Sequence, residues 1–210
     1  MNVTRYTVAE RRELLIQATL RIIAADGVQS ATTRAICREA GMAQASFHYA
    51  FRSRDALLAA AVQYALDDDV ERTADALIGV LPEETDLPTL VHNCLAAYVE
   101  SVIADPNREQ AVLSLMGYAR SVPDLQPIAE QTYRKYYELA ANALQAAADL
   151  TGVPWRTDVT DLAPIVIAAT DGITLAYLST RDREVAELIA RSAAQTLMMH
   201  AAVPADEVLG

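Results

Sequence analysis

The sequence predicts an all-α protein of about nine helices, on three observations. Ala is abundant while Gly (7) and Pro (8) are few in 210 residues, a composition of strong helix formers. Apolar residues recur at three- and four-residue spacing, with little of the strict alternation that marks strands. Capping residues open the periodic segments, and Gly or Pro closes them.

Each element follows from these signals. Thr7 with Glu10 three residues on makes a capping box for a first helix. That helix carries Leu14, Leu15, Ala18, Ile22 and Ile23 on one face and stops at Gly27. Thr32 caps a short second helix, with Ala35, Ile36 and Ala40 inward and Gly41 at its end. A third runs from near Ala43 to near Phe51. Ser53 then caps a long fourth helix reaching about Leu81, followed by a loop containing Pro82 and Pro88. Further helices are expected over 89–104, over 106–120 with Asp105 as cap, and over 125–150. Two more, over 161–179 and 184–202, are joined by the charged connector TRDR.

Composition narrows the function. The apolar run at 162–169 is interrupted by Thr170 and Asp171, short of bilayer-spanning length, so no membrane span is expected. The N-terminal stretch carries Arg5, Glu10, Arg11, Arg12 and Glu13 and has no signal-peptide core, which predicts a cytoplasmic protein. Cys37 and Cys94 form no CxxC pair and read as buried free thiols. His48, His92 and His200 are too dispersed for a metal site. No catalytic constellation and no cofactor are implied. The net charge is −11, yet residues 1–55 hold eight Arg against five acids, a balance of +3, leaving 9 basic and 23 acidic residues, −14, to the rest. A basic head on an acidic body directs the head toward DNA phosphate.

The stretch TTRAICREAGMAQASFHYAF, from Thr32 to Phe51, shows why. Two short helices crossing steeply need a small residue where they touch, Cys37, and one tolerant of positive φ in the turn, Gly41. Ile36, Ala40, Met42 and Phe47 close a small core. Gln44, Ala45, Ser46, His48 and Tyr49 are left on the outer face of the second helix. Gln suits adenine and small residues suit the thymine methyl group in a major groove, while Thr33, Tyr49 and the arginines suit phosphates.

The region from about Arg11 to Leu58 resembles the N-terminal domain of the TetR family of transcriptional regulators. The resemblance is carried by Thr32, Ile36, Cys37, Ala40-Gly41, Ser46, Tyr49, Phe51 and SRDAL at Ser53 to Leu57. It departs at His48, where Tyr is frequent; at Ala50, where His is; at Ala43, where a capping Ser is usual; at Ala45, where Gly is frequent; and at Arg54, which replaces Lys. It implies a helix-turn-helix domain over 1–52, with Thr32, Thr33, Arg34, Gln44, Ala45, Ser46, His48, Tyr49 and Arg54 on DNA. It implies a helical effector-binding and dimerisation domain over 53–210.

The last two helices carry wide apolar faces, including Leu162, Ile165, Val166, Ile173 and Tyr177, then Val185, Leu188, Ile189, Leu197 and Met198, suited to a homodimeric four-helix interface. Cys94, Tyr98, Val102, Met116, Tyr133, Tyr137 and Tyr177 are the candidate lining of a pocket for a small-molecule effector. Asp171 reads either as a buried polar anchor or as an interface hydrogen-bonder. The function expected is a regulator, a repressor released from an inverted-repeat, double-stranded operator by that effector. The alternative is a helical protein-interaction module without sequence-specific DNA binding.

Overall fold

The structure is a computed structural model and describes residues 6–78 and 85–202. Arg5, the expected end of the fourth helix near Leu81 and the loop residue Pro82 lie outside these. Nine α-helices occur among the described residues: α1 (Val8–Asp26), α2 (Thr33–Glu39), α3 (Phe47–Ala50), α4 (Arg54–Ile78), α5 (Leu87–Ala104), α6 (Pro106–Ser121), α7 (Gln126–Thr151), α8 (Val159–Thr180) and α9 (Arg183–Met198). The all-α expectation holds.

The caps are those that the local sequence prescribes. Thr7 Oγ1 accepts from the Glu10 amide at 3.2 Å, and Glu10 Oε2 accepts from the Thr7 amide at 2.7 Å. That backbone bond, with the Thr7 hydroxyl, holds the Glu10 carboxyl below its ordinary range. Ser53 Oγ accepts from the Ala56 amide at the head of α4.

Three boundaries differ from expectation. α5 starts at Leu87, because Asp86 caps it by accepting from the Thr89 amide at 2.7 Å and Pro88 is tolerated in a first turn, which needs no proline N–H. α8 starts at Val159, capped by Asp158 on Thr160. α9 ends at Met198 instead of near Ala202, because the following chain pairs with the loop after α7: Arg156 N donates to His200 O at 2.7 Å and Ala202 N to Pro154 O at 2.9 Å.

The chain divides into two packed units. One runs to Asp69 and resumes over Asn107–Thr132; the other takes Val70–Pro106 and resumes at Tyr133. The motif-based division at 52/53 falls just ahead of α4, which continues unbroken from the first unit into the second. In the first unit, Leu15, Ala18, Ile23, Ile36, Phe47, Leu57 and Leu58 are buried. Arg108 there joins α6 to α4, 3.1 Å from Asp68 and 2.8 Å from Asp69.

In the second unit, α5, α8 and α9 pack together around Leu87, Leu90, Leu95, Leu162, Ile173 and Leu197. α5 and α8 are long and apolar enough by length and composition to cross a membrane, a threshold that the reading of uninterrupted apolar runs missed. Leu90 and Leu95 of α5 and Leu162 and Ile173 of α8 pack into the core of the second unit, and 33% of the α5 window and 28% of the α8 window are buried.

Candidate DNA-binding site

α2 and the segment that follows it are joined by a turn with a definite hydrogen-bond signature. The Gly41 amide donates to Arg38 O at 3.1 Å and the Met42 amide to Cys37 O at 2.8 Å, the paired closure of a Schellman motif. Gly41 sits at φ 65°, a conformation that glycine adopts without strain. Thr32 Oγ1 caps α2 by accepting from the Ala35 amide at 3.2 Å. Cys37 is 2% exposed and packs as a small apolar residue.

The recognition element is tighter than expected. A 3₁₀ turn, Gln44–Ser46, precedes the single α-turn of α3, and Ala43 offers no side-chain cap. Without an N-cap oxygen the leading amides close with i to i+3 bonds instead: Ser46 N donates to Ala43 O at 2.8 Å. Phe47 turns inward, 1% exposed, with its ring 6.1 Å from that of Phe51.

The outward groups are those of the sequence reading. Gln44, Ala45, His48 and Tyr49 are exposed, Ser46 is half-buried, Thr32 and Arg34 are exposed, and Thr33 is half-buried. Tyr49 is 74% exposed, with the Arg11 guanidinium 5.9 Å from its ring centre. An aromatic ring so far out of the core, beside a cation, is suited to a phosphate-bearing surface.

Two arginines stand elsewhere than expected. Arg54, read from sequence as a phosphate contact, has its Nε on Ala31 O at 2.7 Å and its Nη2 on Val28 O at 2.9 Å. Arg12, which the sequence places only among the charges of the basic head, donates from Nη1 to Ala50 O at 2.7 Å and lies 4.2 Å from the Phe51 ring centre. Partners 26 and 38 residues away leave no periodic signal in the sequence.

The expected effector residues are not gathered in one place. Cys94, Tyr98 and Tyr177 pack half-buried against the core of the second unit, and the Tyr98 hydroxyl lies 2.8 Å from that of Thr174. Val102 is buried. Met116 is buried on α6, in the first unit. Tyr133 lies on the seam between α7 and α8, donating to exposed Asp171 at 2.7 Å, so Asp171 is a surface acceptor and not a buried anchor. Tyr137 is 37% exposed. An open groove of about 630 Å³ in the second unit, lined by Gln145, Asp149, Trp155 and Arg156 among others, includes none of the seven. Burial pushes the Cys37 and Cys94 thiols above their ordinary range, which suits packing and not nucleophilic chemistry. No group of three or more His, Cys, Asp or Glu that could hold a metal ion occurs among the described residues.

A helix-turn-helix with this outward face defines a DNA-reading protein, and comparison with known proteins gives its family. The pattern described as "Bacterial regulatory proteins, tetR family" matches residues 15–61, and that described as "BetI-type transcriptional repressor, C-terminal" matches residues 89–199, over half of the chain. The chain belongs to the TetR family and is a DNA-binding transcriptional regulator. The nicotine-responsive transcriptional repressor HdnoR of Paenarthrobacter nicotinovorans is 26% identical over 175 residues, covering 83% of this chain and 87% of that protein. The multidrug binding protein EbrR, solved in complex with imidazole, is 26% identical with a TM-score of 0.65, covering 94% of this chain and 98% of that one. A TetR-family regulator of Mesorhizobium loti shares the fold at a TM-score of 0.76 and 12% identity, covering 95% of this chain and 100% of that one.

Proposed function

We propose that the protein is a homodimeric repressor acting in the cytoplasm, which binds an inverted-repeat operator and is released from it by a small organic effector. The observation that carries the DNA reading is the outward set Gln44, Ala45, Ser46, His48 and Tyr49, flanked by Thr32, Thr33 and Arg34, on a turn closed by Gly41. Gln44, Ala45 and His48 read base edges in the major groove, and Thr33, Arg34 and Tyr49 set the register on phosphates.

Dimerisation is supported by two exposed stripes at helical spacing. On α8 these are Ile165, Ala168 and Leu175, with half-buried Gly172 between them; on α9, Val185, Leu188 and Ser192, continued by Met199 just past the end of the helix. Nothing lies within 4 Å of where a Cβ on Gly172 would stand, so a partner helix can approach closely there. An isologous pairing of these faces presents two heads to two half-sites.

The effector reading is supported by the nicotine-responsive relative and by half-buried Cys94, Tyr98 and Tyr177, which offer an apolar lining with hydroxyl handles. Release requires only that effector and operator favour different conformations. The test is selection of bound sequences from a random duplex library at physiological salt. Recovery of an inverted repeat is expected; no enrichment by a folded, dimeric protein would refute the operator reading.

A further inference from the structure

The arginines of the head do not share one role. Arg21 pairs with Glu39 at 2.8 Å. Arg34, Arg38 and Arg52 are exposed and ready for a phosphate. Arg54 is different: two edges of its fork are used on Ala31 O and Val28 O, in the turn that leads from α1 into α2. The remaining nitrogen, Nη1, lies 4.0 Å from the Asp55 carboxylate, whose side chain is 84% exposed while that of Arg54 is only 31% exposed. A phosphate approaching that edge would meet a like charge. Arg12 makes the matching tie at the other end of the motif, from α1 to the last residue of α3.

We propose that Arg54 is a positioning residue, tying the first turn of α4 to the turn before α2 while Arg12 braces the end of α3, and that Arg54 does not touch a phosphate. The two ties hold both ends of the helix-turn-helix to the helices that flank it. A planar fork bridges two carbonyls in fixed directions, which an ammonium does not reproduce. Base readout needs the recognition element held to a fraction of an ångström, so the braces act on operator affinity through geometry. The inference rests on the DNA-binding reading, and failure of that reading is visible in the parent protein alone, as absence of an enriched repeat.

The experiment is fluorescence anisotropy of the full-length protein on the duplex recovered by selection, across a series of KCl concentrations, with Arg54→Gln and Arg54→Lys. Arg54→Gln is expected to weaken binding about tenfold and to leave the slope of log affinity against log salt at the parental value. If Arg54 instead neutralised a phosphate in each protomer, Arg54→Gln would lower the magnitude of that slope by about 0.9 per phosphate, or about 1.8 per dimer, and that result would overturn the proposal. Arg54→Lys keeps the charge and breaks the fork, so it is expected to bind about as poorly as Arg54→Gln. Parental affinity in Arg54→Lys would overturn the proposal too, and this variant decides the matter if circular dichroism shows that Arg54→Gln does not fold.

Discussion

Replacing Leu175 with Asp is expected to dissociate the proposed dimer while leaving the protomer folded. In the single chain Leu175 is 56% exposed, so the change removes little from the protomer's own core. A two-fold interface contains the position twice. Complete burial of a leucine is worth about 1.5–3 kcal/mol, so covering its exposed half contributes about 1 kcal/mol per copy and about 2 kcal/mol per dimer. An unpaired carboxylate between apolar helices costs at least about as much again for the pair. The total of about 4 kcal/mol corresponds to a rise in dimer Kd of about a thousandfold. Sedimentation equilibrium over a concentration series measures that Kd, and circular dichroism checks the fold. Leu175→Ala isolates the burial contribution, for which about 30-fold is expected. Leu150, 44% exposed on α7, is the control: Leu150→Asp should leave Kd unchanged. A Leu175→Asp protein that dimerises as tightly as its parent would refute the placement of the interface on α8.

Three further outcomes are expected. Gly41→Ala should cost about 1 kcal/mol, read as a lower urea midpoint, because φ is +65° while nothing crowds the added Cβ; the strain is in the backbone alone. Arg108→Ala should cost about 2 kcal/mol in urea unfolding, since it removes a cation that is only 17% exposed and pairs with Asp68, Asp69 and Glu109. The raised thiols of Cys37 and Cys94 predict slow reaction of the native protein with a disulfide reagent near neutral pH. The folded state favours the neutral thiol, so this contribution to stability is complete below the ordinary thiol value of 9.0 and is lost as pH rises beyond it. Urea unfolding on either side of that pH checks the sign.

Which residues of the candidate DNA-binding site face outward was legible because their placement is local. Gln44, His48 and Tyr49 lie within one short turn of Phe47, and Phe47 buried against Phe51 fixes which side faces out. The lining of a candidate effector pocket was not legible, because a tyrosine at helical spacing has the same pattern whether it lines a cavity, packs on a neighbour or stands at the surface. Tyr98, Tyr133 and Tyr137 take three such places here.

The sequence by itself determined the helices, their caps and the turn at the centre of the motif. Thr7 with Glu10, Thr32 with Ala35 and Gly41 with its neighbours act within about one helical turn, so their partners are set by chain connectivity. Only the tertiary structure decided what the long side chains do and where the last helix stops. Arg12 finds Ala50 and Arg54 finds Val28 only once the helices have packed. The chain leaves α9 after Met198 because His200 and Ala202 meet hydrogen-bonding partners at Arg156 and Pro154. Helical periodicity tells which face is apolar; what that face or a guanidinium meets depends on how distant segments come together.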